Sequence, residues 1–181
     1  FINDIYLIKN IRYCLTKLGT TFVLFPEARY SLDGCTSYLP DSLGKMVRLL
    51  GVPVAVLKIH GNFVTCPQWN KKNKKTFVEA EMKPIITAEE TKSLSVDDIN
   101  ARIAESFRYD DYAWQRDNHV RIDHKKRADG LHCLLYKCPV CGKEHQMDSK
   151  GTHLWCNACG KKWFMNEYGQ LEALDGDAIY A

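Results

Sequence analysis

No stretch of the 181 residues approaches the roughly 18 apolar residues of a membrane span, and nothing resembles a signal peptide. Net charge is nearly absent. Lys and Arg total 25 against 22 Asp and Glu, and the resulting +3 does not by itself argue for nucleic acid. The apolar shortage of a disordered chain is missing too: hydrophobic residues make up 45%, enough for a core. The length suits one ordinary domain plus a small appendix. A disulfide framework is also lacking. Of eight Cys, four fall in two C-x-x-C pairs and the rest are scattered, which suits a reducing compartment and a metal site. There are no internal repeats beyond those two pairs. The first residue is Phe1, not Met, and Asp4-Ile5-Tyr6 already reads as a helix start. The chain therefore reads as a fragment whose N-terminus is missing.

What is present begins with helical spacing. Ile5, Ile8, Ile11, Leu15 and Leu18 recur on one face, with Asn3 or Asp4 as N-cap and Gly19 as terminator. Thr21 to Phe25 is apolar and closed by Pro26, which predicts a short buried strand. A polar loop runs to residue 40, and Asp41 to Leu50 predicts a helix ended by Gly51. Val52 to Ile59 predicts a second buried strand, with Pro53 near its start, where a missing N–H is tolerated. Strand, helix and strand at this spacing predict a βαβ unit with parallel strands. Thr76 to Met82 alternates and predicts a further strand nearer an edge. Ser95 and Asp98 form a capping-box pattern opening a helix through Ile99, Ile103 and Phe107. Tyr109 to Ile122 predicts a helix followed by a linker.

Ligands of open parallel sheets bind beyond the carboxyl ends of the strands. Glu27, Arg29 and Ser31 follow the first strand, and a carboxylate and a guanidinium there pair, line a polar cleft, or both. His60, Asn62 and the loop to Lys75 follow the second. On parallel strands both loops share one rim, to which Trp69 and the run Lys71, Lys72, Lys74 and Lys75 also belong. Such a rim could face phosphate or an anionic bilayer; a solvated hairpin loop is the plainer reading of the Lys run.

Phe25-Pro26-Glu27-Ala28-Arg29-Tyr30-Ser31-Leu32-Asp33-Gly34, then a helix, then Gly51-Val52-Pro53-Val54-Ala55-Val56, resembles the glycerophospholipid (1-acylglycerol-3-phosphate) acyltransferase family. That family's third block reads F-P-E-G-T-R-S and its fourth is an apolar V-P-V strand. Asn3-Asp4-Ile5-Tyr6 sits where its second block should end, and the resemblance covers roughly residues 1 to 65. It implies transfer of a fatty acyl group from acyl-CoA, acyl carrier protein or acyl phosphate to glycerol phosphate or a lysophospholipid. It also implies a cytoplasmic, peripherally membrane-associated protein. Carried over, Glu27 would hydrogen-bond a glycerol hydroxyl, Arg29 would clamp phosphate with its planar fork, and Ser31 belongs to the same substrate-binding block. The family's Gly and Thr are here Ala28 and Arg29, and its Arg is here Tyr30, so Arg29 is displaced by one residue. The family's general base, the His of H-x-x-x-x-D, precedes the other blocks. No such motif lies upstream of Phe25. His124-Lys125-Lys126-Arg127-Ala128-Asp129 matches the spacing, but about a hundred residues downstream and in a basic stretch. The expectation is therefore a catalytically incomplete chain, with its His and Asp upstream of Phe1.

Cys138-Pro139-Val140-Cys141-Gly142 and Cys156-Asn157-Ala158-Cys159-Gly160 carry the strongest chemical signal. Each turn can place two thiolates on one ion, and the trailing Gly permits the tight backbone. The residues between the pairs, 142 to 155, suffice for a β-hairpin joining the knuckles. Four thiolates suit a tetrahedral structural Zn²⁺ without an open position; an iron–sulfur centre is the alternative. Cys133, His145 and His153 are nearby and spare. A ribbon this small lacks the core to stand without its metal. Lys143, Lys150, Lys161 and Lys162 with Trp155 and Trp163 could form a nucleic-acid face. Against it stand Glu167, Glu172, Asp175 and Asp177, and Trp155, Trp163 and Phe164 are expected to pack or dock the ribbon instead.

The expected organisation is an α/β acyltransferase-like domain over 1–122, with a partial parallel or mixed sheet and flanking helices, a basic linker over 123–132, and a β zinc ribbon over 133–181. The competing function is a nucleic-acid-binding or protein-docking ribbon on an α/β carrier.

Overall fold

A computed structural model describes residues 5–176, so the Asn3 or Asp4 cap and the acidic Asp177 lie outside the described residues. Among the described residues the chain is mixed α/β, with helices and two small antiparallel sheets. It divides into two units interleaved along the sequence. The first comprises 1–29, 36–58 and 81–108; the second comprises 30–35, 59–80 and 109–181.

In the first unit, α1 (Ile5–Thr16) buries only Ile11. Gly19, in the left-handed region with φ 63°, follows its end. α2 (Ser42–Leu50) ends as expected: Gly51 is left-handed, and its N–H donates to the Val47 carbonyl at 3.0 Å. β1 (Val54–His60) pairs with β2 (Glu79–Ile86) in a two-stranded sheet. β2 starts later than its alternating pattern predicts and runs through Pro84, which a two-stranded sheet tolerates because both strands are edges. α4 (Glu90–Ser93) leads to α5 (Val96–Phe107), which opens on the expected capping box. Ser95 Oγ accepts the Asp98 N–H at 3.1 Å, and Asp98 Oδ2 accepts the Ser95 N–H at 3.3 Å. Leu43, Val47, Ile86, Ile99 and Ile103 form the core.

Two expectations are corrected in this unit. Residues 21–25 form no strand. They have the composition of one, but strand conformation needs a hydrogen-bonding neighbour, and β1 takes β2 instead. The segment stays irregular, with Phe22, Val23 and Phe25 exposed. No parallel pair therefore forms over this stretch, and a common strand-end rim has no basis in the sheet. β1 is also less buried than its run of Val, Leu and Ile suggests: only Val56 is buried, while Leu57 and Ile59 are exposed.

The second unit contains α3 (Asn62–Thr65), α6 (Asp111–Asp117), a 3₁₀ turn at Leu131–Cys133, and a four-stranded antiparallel sheet. The strands β3 (Met147–Lys150), β4 (His153–Cys156), β5 (Lys162–Met165) and β6 (Leu171–Ala173) lie in chain order. Leu154 pairs with Trp163 across β4 and β5, and both are fully buried. With Ala128, Leu131, Met147 and Met165 they form the core. Within the stretch 123–132, residues 125–130 form turns, and Arg127 and Ala128 are buried there.

α6 is fixed by a buried carboxylate. Asp111 Oδ1 accepts the Gly61 N–H at 2.7 Å and the Tyr109 hydroxyl, and Oδ2 accepts the Val64 N–H at 2.9 Å. These bonds tie the start of α6 to the first turn of α3. Burial, and then the bond to Asp111, push the Tyr109 phenol well above its ordinary range. His60 stacks on Trp114 and meets Tyr109 edge-on, so it packs among aromatics rather than standing on a rim.

Candidate metal centre

Each cysteine knuckle is built by the same pair of backbone bonds. The Cys138 N–H donates to the Lys143 carbonyl, and the Gly142 N–H donates back to the Cys138 carbonyl, both at 2.9 Å. The Cys156 N–H and the Lys161 carbonyl, and the Gly160 N–H and the Cys156 carbonyl, repeat this at 2.9 Å. Closing each turn requires a left-handed residue, which Gly142 at φ 69° and Gly160 at φ 77° supply without strain. Strands β3 and β4 then bring the knuckles together.

The four Sγ atoms lie within 4.8 Å of one another. Cys138 and Cys159 approach to 3.7 Å, and Cys141 and Cys156 to 3.8 Å. A tetrahedron of sulfurs at about 2.3 Å from a central ion has edges of about 3.8 Å. The cluster could therefore hold one metal ion. Cys138 and Cys156 are buried, and Cys141 and Cys159 face solvent.

The thiols influence one another. Burial works against the Cys156 thiolate, but backbone N–H groups of Cys159 and Ala158 and the neighbouring thiols outweigh it and bring its pKa down to about 7. At Cys159 the Lys161 backbone favours the thiolate, yet burial and the three other thiols together push it up to about 12. Without a cation the group gives up its first proton readily and holds a later one firmly, the behaviour of like charges sharing a site. A dication at the centre would reverse the second effect.

The spare ligands lie elsewhere. His145 stacks on Tyr136 with ring centroids 5.3 Å apart, and His153 packs beside Phe164 at 5.6 Å. Cys133 is exposed and outside the four-sulfur group. Trp163 is buried and so offers no face for stacking; Trp155 is half-buried and its indole N–H donates to Asn157 Oδ1 at 2.9 Å.

Glu27 and Arg29 belong to the first unit and Ser31 to the second. Glu27 is half-buried in the turn after Phe25, and exposed Arg29 donates from Nε to Ser37 Oγ at 2.7 Å. Between them, Ala28 is held left-handed at φ 53°. The Ser31 hydroxyl is engaged in its own turn: it donates to the Cys35 carbonyl at 2.9 Å and accepts the Gly34 N–H at 2.8 Å. His124 Nδ1 accepts the Lys126 N–H, and Asp129 accepts the Gly151 N–H, so each is bound to nearby backbone.

Lys74 departs from the exposed Lys run assigned to it by sequence: it is 5% exposed. With Trp69 and Gln115 it lines a cleft of the second unit. Nothing in the sequence distinguishes Lys74 from Lys72 or Lys75, because only the fold turns one of them inward. Among the described residues no helix is long and apolar enough to cross a membrane. Comparison of the chain with protein-family models, curated proteins and solved structures gives no match.

Proposed function

We propose that the four-cysteine cluster holds a structural Zn²⁺. The sulfur spacing carries this reading: edges of 3.7 and 3.8 Å suit one thiolate-bound ion. Four thiolates leave no open position for catalysis, so the ion's role is to fold the ribbon, whose apolar core is small. Elemental analysis of purified protein tests this. One zinc per chain, with loss of the ribbon's amide dispersion on chelation, is expected. Iron in its place, or a folded ribbon free of metal, overturns it.

A second reading assigns the first unit to glycerophospholipid acyl transfer. Two features support it. The position where the family carries Gly is here a left-handed residue, Ala28 at φ 53°. Beside the same turn lies a small apolar cleft lined by Ile8, Leu24, Phe25, Pro26, Leu43 and Met46. In this reading the cleft takes an acyl chain, Glu27 meets an acceptor hydroxyl, Arg29 meets phosphate, and exposed Phe22, Val23 and Phe25 touch a bilayer surface. No H-x-x-x-x-D precedes Phe25, so residues 1–181 alone are expected not to transfer acyl groups. Co-sedimentation with vesicles that requires anionic lipid supports this assignment. Salt-sensitive binding to single-stranded nucleic acid without vesicle binding favours the ribbon as a nucleic-acid module instead.

A further inference from the structure

A second cluster of buried polar groups lies in the second unit, outside the cysteine site. It lines a small cleft. Lys74, Gln115 and Arg127 are only 5%, 1% and 6% exposed. Two polar atoms of residues lining it are buried without a hydrogen-bond partner: the donor Trp69 Nε1 and the acceptor Gln115 Oε1. Leaving such groups unmatched costs free energy, so each points to something that meets it.

The orientation of Gln115 is fixed. Its Nε2 donates to the Val120 and Glu167 carbonyls, both at 3.0 Å, so the remaining amide atom is the acceptor. Lys74 is under-committed. Its Nζ has the Lys72 carbonyl at 3.5 Å, at the limit of a hydrogen bond, and the Trp69 ring centroid at 5.9 Å. Burial pushes its pKa down to about 8, against a smaller opposing pull from Cys66, which marks an ammonium poor in anionic partners. Arg127 adds fixed positive charge, its Nε donating to the Met165 and Asn166 carbonyls and its Nη1 to the His124 carbonyl. The carboxylate among the lining residues, Glu167, is taken up by Arg121. Lys74, Trp69 and Gln115 thus offer the cleft positive charge, donors and one acceptor.

We propose that this cleft binds a small protonated oxyanion, of the hydrogen carbonate or dihydrogen phosphate class, with its oxygens on Lys74 and Trp69 and its O–H on Gln115. A halide satisfies Lys74 and Trp69 but has no donor for Gln115. A water molecule satisfies the hydrogen bonds but leaves the ammonium without a counter-charge. A protonated oxyanion answers all three groups at once.

The test follows the Trp69 indole N–H and the Lys74 side chain by heteronuclear NMR in the full, metal-loaded chain. Sodium hydrogen carbonate, sodium dihydrogen phosphate and sodium chloride are titrated at constant ionic strength. At least one oxyanion is expected to shift the indole signal saturably and raise the Lys74 pKa, with chloride at least about tenfold weaker. The two oxyanion arms identify the source. Lys74→Met is expected to abolish the response, and Gln115→Met to weaken it. If either variant fails to fold, the wild-type titration alone decides. No saturable shift with either oxyanion, chloride binding as tight, or an unchanged response in folded Lys74→Met overturns the proposal.

Discussion

The backbone N–H of Gly44 donates to Oδ1 of Asn100 at 2.7 Å, where α2 crosses α5. The Asn100 amide in turn donates from Nδ2 to the Asp41 carbonyl at 2.8 Å. The contact needs a residue without Cβ. A methyl group at Gly44 would lie 2.6 Å from the Val96 carbonyl oxygen and 2.7 Å from Asn100 Oδ1. Gly44→Ala is expected to separate the helices and to destabilise the protein by about 1–3 kcal/mol, despite alanine's better helix propensity. Urea denaturation measures this; a neutral or stabilising effect would show that α2 and α5 do not pack this closely.

Ala28 gives the opposite sign. Its φ of 53° is a conformation glycine adopts freely and alanine does not. Ala28→Gly is expected to raise stability by about 0.5–1 kcal/mol, strain relief exceeding the added flexibility of the unfolded chain. A lower denaturation midpoint in the variant would count against the strained turn.

Lys74 makes stability depend on pH. Its folded pKa of about 8 lies below its ordinary value of 10.5, so above about pH 8 the unfolded state holds the extra proton. Stability should therefore rise from about pH 8 towards 10.4, by on the order of 3 kcal/mol at most, and Lys74→Met should lose that rise. Tyr109 and Tyr112 act in the opposite sense above about pH 10, because burial raises both phenols. The difference between wild type and variant isolates the lysine. Parallel stability curves for the two proteins would rule out the buried ammonium.

Substitutions in the cysteine cluster should differ from those at ordinary buried positions. Cys138→Ser or Cys156→Ser is expected to remove bound metal and unfold the β3–β6 sheet, while His145→Ala and His153→Ala retain one ion per chain. Metal content and near-ultraviolet circular dichroism measure both. Full metal retention in Cys156→Ser would exclude the four-sulfur site.

The sequence made the local features visible and the tertiary ones only in part. Ser95 and Asp98 form their capping box because its bonds depend on four consecutive residues. The cysteine knuckles are equally local, so their spacing named the cluster. Residues 21–25 failed for the complementary reason: a strand is a relation between segments, and composition says nothing of the second one. The Lys74 cleft was invisible because it is assembled from the Trp69–Lys74 stretch, α6 and the turns around Arg127 and Asn166, none of which carries a local signature.

The cysteine cluster has a dry side and a wet side, and each close sulfur pair joins one to the other: buried Cys138 with exposed Cys159, and buried Cys156 with exposed Cys141. A chelator or oxidant from solvent therefore meets one thiolate of each knuckle before either buried one. An ion held there would be gripped from beneath and reachable from above, so its loss would pass through a half-coordinated stage in which the inner two sulfurs still hold it. A ribbon built this way would surrender a metal by degrees rather than in one step.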